Sequence, residues 1–267
     1  MLYLPFDRAA SPSLPFTLKT ASPQANGLAM WLPLLNTRGA GRLFDLASGN
    51  SLAYVGNAWV TDGQMAAGVS FPGSSSGYAQ GSNAIGLTFN DALTIAAWVK
   101  PTTLTTADLV LVGTSSPARG WGMYMTSGGG LGFLKTGVAA VTSPSATYTA
   151  AGTLVHLALS YNDTSGEIRY YKNGQYVESS TNGAGFSAPA ATDTITLGIW
   201  YALNADYQNG TTYEVRIYHR VLTDTEVLSL YLPQTRWDLY QPLLPTAYKA
   251  PTVAAAYTPR LTLLGVG

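Results

Sequence analysis

The residues with chemical potential are few and scattered. Four glutamates, Glu167, Glu178, Glu214 and Glu226, each sit in a structural context: hairpin strands, a closing strand and a helix cap. Retaining hydrolysis of a glycosidic bond needs two carboxyl groups about 5–5.5 Å apart on one face, and no pair of these is spaced to supply it. An inverting pair of aspartates distant in sequence stays open, because its members need only meet in space. Gly73-Ser74-Ser75-Ser76-Gly77 matches G-x-S-x-G, but Tyr78 to Asn83 beyond it is no helix, so a Ser-rich loop is expected rather than a nucleophile elbow. With His156 and His219 the only histidines and no cysteine, neither a three-His zinc site nor a Cys-ligated metal can exist. His156 is expected to be packed in a strand and His219 to lie at the surface. Flat sugar faces stack on exposed rings, and the loop aromatics Trp121, Tyr201 and Tyr207 are the candidates for carbohydrate binding. Trp31, Trp98 and Trp200 lie within strand patterns and are expected in the core. The same exposed rings would serve equally as protein–protein anchors.

These side chains must be held by β-structure. Leu93 to Val99 is an apolar run closed by Lys100-Pro101, as in a buried sandwich strand. Thr153 to Tyr161 alternates, placing Val155, Leu157, Leu159 and Tyr161 on one face and Leu154, His156, Ala158 and Ser160 on the other. One apolar face of two is the pattern of a half-buried sheet. Glu167 to Lys172 and Gln175 to Glu178 flank Asn173-Gly174, the pair a type I′ hairpin demands because both central residues need positive φ. Thr194 to Trp200 and Thr212 to Tyr218 are rich in β-branched and aromatic residues. One helix is signalled: Thr223 and Glu226 form a capping box, Leu222 and Val227 a hydrophobic staple, and Pro233 a stop.

Three stretches follow: an extended arm over 1–27, a sandwich domain over 28–232, and a second extended arm over 233–267. Prolines 5, 12, 15 and 23 interrupt the first, and prolines 233, 242, 245, 251 and 259 the last. The 267 residues carry 14 basic and 14 acidic side chains, only 10% charged against 46% hydrophobic. A neutral chain with scattered arginines offers no phosphate-tracking stripe, which argues against a nucleic-acid binder. No apolar run approaches the length of a membrane span. Met1 to Arg8 lacks a basic start and breaks its apolar run at Asp7, so no secretory leader is expected.

The order of these segments resembles the laminin-G-like, concanavalin A-like jelly-roll family over most of 28–232. The likeness rests on Leu28 to Leu34 with Phe44 to Asn50; on Val69 to Gly73 with Tyr78; on Leu93 to Pro101 around Trp98; on His156 to Tyr161 with Tyr171 to Gly174; and on Gly210 to Tyr218 with Leu222 to Val227. Leu154 departs from the pattern where many relatives carry a tryptophan. The resemblance implies an all-β, two-sheet antiparallel jelly-roll sandwich with one short C-terminal helix. It implies a choice among lectins, glycosidases and non-catalytic adhesion modules, and the E-x-D-x-x-E strand of the retaining glycosidases is absent. It also implies that calcium is the cofactor to look for. Asp193, Asn204, Asp206 and Asn209 are the oxygen ligands near the loop after Trp200, with ordinary turn chemistry the favoured reading in the absence of D-x-D-x-D-G spacing.

Short laminin-G-like chains with proline-rich arms further resemble accessory proteins of phage particles, as capsid decoration, head fibre or tail component. The expected function is therefore a non-catalytic structural protein of a virion assembled in the host cytoplasm. Its partners would be itself or other virion proteins, bound through residues 1–27 and 233–267, and surface glycans. A soluble carbohydrate-binding module is the alternative, and a glycoside hydrolase the third reading.

Overall fold

The fold is known from a computed structural model, which describes residues 16–34, 41–56, 58–62, 65–83, 86–145, 147–183 and 185–243. The strands in chain order are β1 (Phe16–Leu18), β2 (Leu28–Leu32), β3 (Arg42–Phe44), β4 (Ser51–Val55), β5 (Ala58–Asp62), β6 (Ala66–Pro72), β7 (Tyr78–Ser82), β8 (Ala92–Pro101) and β9 (Ala107–Ser115). They continue as β10 (Ala118–Met125), β11 (Leu131–Lys135), β12 (Ala139–Thr142), β13 (Val155–Asn162), β14 (Glu167–Lys172), β15 (Gln175–Thr181), β16 (Thr194–Leu197), β17 (Asn209–Tyr218) and β18 (Tyr240–Pro242), with one helix, α1 (Asp224–Tyr231).

Two antiparallel sheets form a jelly-roll sandwich. One runs β12-β11-β10-β9-β16-β7-β4-β3; the other runs β15-β14-β13-β8-β17-β6-β5. In the second sheet β17 is the hub. Thr211 and Thr212 pair with β6, and farther along the same edge Val215 to Ile217 pair with β2. Between the sheets lies the face of β13 expected from its alternation, Val155, Leu157, Leu159 and Tyr161, beside Leu93, Ile95, Ala97 and Val99 of β8 in one core.

The local signals are realised closely. Asn173 and Gly174 adopt φ of 51° and 75°, joining β14 to β15. Thr223 caps α1, its hydroxyl accepting from the Glu226 N–H while the Glu226 carboxylate accepts from the Thr223 N–H. Leu222 and Val227 are both buried in one cluster. Arg220 grips the same carboxylate through two bonds of 2.9 and 2.7 Å, and this pairing holds the Glu226 acid down to about 2. Thr223→Ala should lower stability by about 1 kcal/mol, the usual value of a side-chain cap, measured as a shift in the urea midpoint with unchanged slope.

The terminal segments correct the division into arms. Residues 16–27 and 233–243 belong to the folded body: β1 pairs with β18, and Phe16, Trp237, Leu239 and Tyr240 are buried against Trp31, Trp98 and Tyr213. Together with α1 they cover the outer face of the β8-β17 sheet, so β13 is buried on both faces, contrary to the half-buried reading of its alternation. The remainder of both arms, 1–15 and 244–267, lies outside the described residues. No helix among the described residues is long and apolar enough to cross a membrane.

Beneath the terminal cover lies a polar network. Glu214 accepts from Trp31 Nε1 at 2.7 Å, from Arg216 Nη2 at 2.8 Å and from the Tyr240 hydroxyl at 3.4 Å. Arg216 also donates to Gln24 Oε1 and to the Arg236 carbonyl, while Gln24 Nε2 donates to the Ser229 and Thr235 carbonyls. The first segment, the last segment and α1 are thereby stitched to the central strand β17.

Candidate functional site

The loop between β16 and β17, residues 198–208, is built to hold polar and aromatic groups at the surface. Gly198 starts it at φ 78°, a conformation L side chains rarely adopt, and a Cβ there would lie 2.4 Å from the Phe71 ring. The chain then folds over itself, with the Trp200 N–H on the Ala205 carbonyl at 3.1 Å and the Leu203 N–H on the Trp200 carbonyl at 2.9 Å. It returns to the body with the Gln208 N–H on the Gly198 carbonyl at 2.9 Å and the Asp206 carbonyl accepting from the Asp108 N–H at 3.0 Å. Leu203 and Asp206 sit at φ 58° and 53°. Left-handed backbone at a leucine costs about 1–2 kcal/mol, so the surrounding contacts hold this loop in one shape.

Two buried groups form its floor. Tyr201 packs inward, its hydroxyl donating to the Val112 carbonyl at 3.2 Å and lying 3.0 Å from Thr136 Oγ1. Asp108, at the start of β9, is 4% exposed with Oδ2 lacking any hydrogen-bond partner. Burial, reinforced by the charge of Asp206, pushes its carboxyl up to about 8. Burial also raises the Asp206 carboxyl. Above this floor, Trp200 and Tyr207 are half-buried and Asn204 is exposed.

The sequence-derived sugar-stacking set is therefore corrected in two of its three members. Trp121 is 0% exposed, stacked on Phe89 at 5.3 Å with its indole nitrogen donating to the Phe89 carbonyl. It is an inter-sheet core residue, because alternation along β10 turns it inward with Met123 and Met125. Tyr201 is buried as well, and only Tyr207 reaches solvent. Trp200, expected in the core, lies beyond the last strand pairing of β16 and is partly exposed; the strand ends at Leu197, where Gly198 diverts the chain.

The calcium set is not assembled either. Both oxygens of Asp193 accept from Arg119, at 2.7 and 2.6 Å, and Oδ2 also accepts from the Ala190 N–H. The Arg119 guanidinium holds that acid below the ordinary carboxylate range. Asp193 precedes the four residues of β16, and Asn204 and Asp206 follow them. The Asp193 carboxylate is thus engaged by Arg119, on the other side of β16 in the chain from the remaining three residues. Asn209 opens β17, against Gly73. Among the described residues, no three His, Asp or Glu side chains group to hold a metal.

The glutamates lie where their structural roles require: Glu214 in the buried network, Glu226 in the cap, and Glu178 accepting from Ser145 and Tyr148. The one carboxylate coupling at the loop, Asp108 with Asp206, escaped sequence reading. Its signal was a lone acid opening the apolar run Leu109 to Val112.

A family model described as the concanavalin A-like lectin/glucanases superfamily matches residues 71–228, more than half of the chain and the whole of the loop. The chain belongs to this superfamily. No curated protein matches it by sequence. Among solved structures it is similar to Trypanosoma rangeli sialidase in complex with sialic acid, with TM-score 0.59 and 21% identity over 84% of this chain and 36% of that one. It is also similar to the botulinum neurotoxin serotype G binding domain, with TM-score 0.57 and 14% identity over 76% of this chain and 50% of that one. The binding domain of Paraclostridial Mosquitocidal Protein 1 aligns with TM-score 0.57 and 16% identity, over 78% and 52%. The superfamily member thus spans about a third of the sialidase and about half of each toxin domain, and at these identities the likeness is one of fold.

Proposed function

We propose that this superfamily member is a non-catalytic, lectin-like recognition module whose reading head is the 198–208 loop. Trp200 and Tyr207 would stack on sugar faces, while Asn204 and Asp206 would hydrogen-bond hydroxyls. The observation that carries this reading is the preorganisation of the loop: Tyr201 and Asp108 fix it from below, so its exposed groups need little ordering on binding. Binding domains among the structural neighbours support a recognition role. A particle-bound setting, with residues 1–15 and 244–267 joining copies or other virion proteins, extends the same reading through the architectural resemblance to phage accessory proteins.

A glycosidase reading has one observation to recommend it, the Asp108–Asp206 couple, since a carboxyl kept protonated near neutrality is what a general acid needs. Asp108 is sealed beneath the loop, however, out of hydrogen-bond reach of a substrate at the surface. The binding reading is therefore preferred.

Trp200→Ala is expected to weaken retention on a panel of immobilised polysaccharides by about tenfold or more, equivalent to about 1.4 kcal/mol. Trp121→Phe, altering only the core, should leave retention of the folded protein intact. Unchanged retention in Trp200→Ala would remove the loop as the site, and release of reducing sugar from any panel member would overturn the non-catalytic assignment.

A further inference from the structure

The 198–208 loop closes over a carboxyl group that nothing pairs with. Asp108 is buried, and its Oδ2 has no hydrogen-bond partner. The charged group that acts on it is Asp206 of the loop, which has the same sign. Its strand neighbours in the sheet are β10 and β16. On β10, Arg119 is committed to both carboxylate oxygens of Asp193, and Tyr124 stands opposite Asp108 in the strand register. β16 carries no charged residue. Tyr201 of the loop is the remaining titratable group that interacts with Asp108. Burial raises the hydroxyls of Tyr124 and Tyr201, so both are neutral and neither supplies a counter-charge. A carboxylate that is buried, unpaired and beside a second carboxylate is not tolerated in this closed arrangement. It must keep its proton, or water must reach it.

Of the walls around Asp108, the loop is the one able to yield. The strands beneath belong to an eight-stranded sheet whose inner face is core, whereas the loop meets the body through isolated hydrogen bonds. The Asp206 carbonyl accepts from the Asp108 N–H at 3.0 Å, the Tyr207 carbonyl accepts from the Thr105 hydroxyl at 3.2 Å, and the Tyr201 hydroxyl donates to the Val112 carbonyl at 3.2 Å. Opening would also release Leu203 and Asp206 from left-handed backbone. Segments tied in this way open locally, at less cost than global unfolding. We propose that Asp108 is a proton-operated latch: protonated, it lets the 198–208 loop lie closed, and ionised, it lifts the loop from β9 and admits water. In the closed state burial and Asp206 raise this carboxyl from 3.8 to about 8. With the loop open and the group hydrated, it ionises near its ordinary value, so rising pH favours opening between the two. The opening constant should grow by up to about tenfold per pH unit over that range and level off above it. A consequence that rests on the reading of this loop as a sugar-binding head is that recognition is strongest in mildly acidic medium and weakens toward alkaline pH.

The test is amide hydrogen exchange on the full chain without any sugar, at about pH 5.5 and about pH 7.5, with each rate divided by the intrinsic rate at that pH. The amides at positions 108 and 208 close the loop onto Asp206 and Gly198. Both should lose protection at least tenfold between the two pH values, and both should exchange faster throughout than Leu159 in the buried middle of β13. Asp108→Asn has the same shape and no proton to lose, and should make the protection of both amides independent of pH. Asp206→Asn tolerates the left-handed backbone and removes only the like charge, so it should reduce the loss without abolishing it. An equal loss in Asp108→Asn would overturn the latch, as would constant protection in the parent. Loop amides as protected as Leu159 would also overturn it, because Asp108 would then be hydrated only by global unfolding. Complete loss of the pH dependence in Asp206→Asn would overturn the assignment to Asp108. Since no sugar is present, failure of the latch is distinguishable from failure of the sugar-binding reading, which the retention of Trp200→Ala tests separately.

Discussion

Arg216→Met should cost the protein about 3–5 kcal/mol, the usual penalty for removing one partner of a buried ion pair. Arg216 is 1% exposed and Glu214 3%, so neither can turn to water when the other is lost. The substitution leaves the Glu214 carboxylate with Trp31 Nε1 and the Tyr240 hydroxyl as donors but without its counter-charge. It also strands Gln24 Oε1 and the Arg236 carbonyl, which Arg216 now satisfies. Because those acceptors belong to the first and last described segments, the loss should appear as loosening of the terminal cover before global unfolding. Amide exchange should accelerate first at residues 16–25 and 233–242, and the melting temperature should fall by about 2–4 °C per kcal/mol. Adding Glu214→Leu to Arg216→Met removes the stranded charge and should restore a substantial part of the loss. A single variant as stable as the parent would show that the network does not hold the cover down.

Replacing Asp108 with Asn should change the pH dependence of stability rather than its value at one pH. In the folded state burial raises this carboxyl from 3.8 to about 8. Between those values the unfolded chain has released the proton and the folded protein retains it. Stability therefore declines as pH rises from about 4 to about 8, at up to about 1.4 kcal/mol per unit from this one group. The full stability contribution is present below the unfolded value and is lost on approaching the folded one. The amide that replaces the carboxyl in Asp108→Asn has no proton to lose. The variant should match or trail the parent at pH 4, where its buried amide lacks an acceptor, and overtake it by about 2–4 kcal/mol at pH 8. Guanidinium midpoints taken across pH 4–9 read this as two crossing curves. Parallel curves would mean that Asp108 titrates normally and that the loop floor is wetter than its burial indicates.

Elements governed by neighbours in sequence were legible without coordinates. The Asn173-Gly174 turn follows from the positive φ that both positions need, and the Thr223–Glu226 box from donors three residues apart at a helix start. The inward face of β13 follows from strict alternation. Strands β9 to β12 were less legible, because glycines at 113, 120, 122 and 132 interrupt their apolar pattern where backbones and the Tyr124 and Leu111 side chains approach closely.

What lies over a sheet is not a local property. Alternation assigned two faces to β13 but could not say that α1 and the terminal segments would cover the outer one, because that cover comes from residues about 140 positions upstream and about 80 downstream. For the same reason Trp121 and Trp200 exchanged their expected places. Trp121 stands between two glycines and is turned into the core by its place in β10, whereas Trp200 follows the apolar end of β16 and is carried outward where Gly198 breaks that strand against Phe71. Asp108 is the extreme case: its sequence context is an ordinary strand start, and its raised carboxyl exists only because the 198–208 loop closes over it with Asp206 nearby. The sequence alone thus determined the turns, the cap, the strand faces and the family. Burial, ion pairing and the candidate sites were decided by the tertiary structure, since desolvation and charge coupling depend on distances in space that no spacing along the chain encodes.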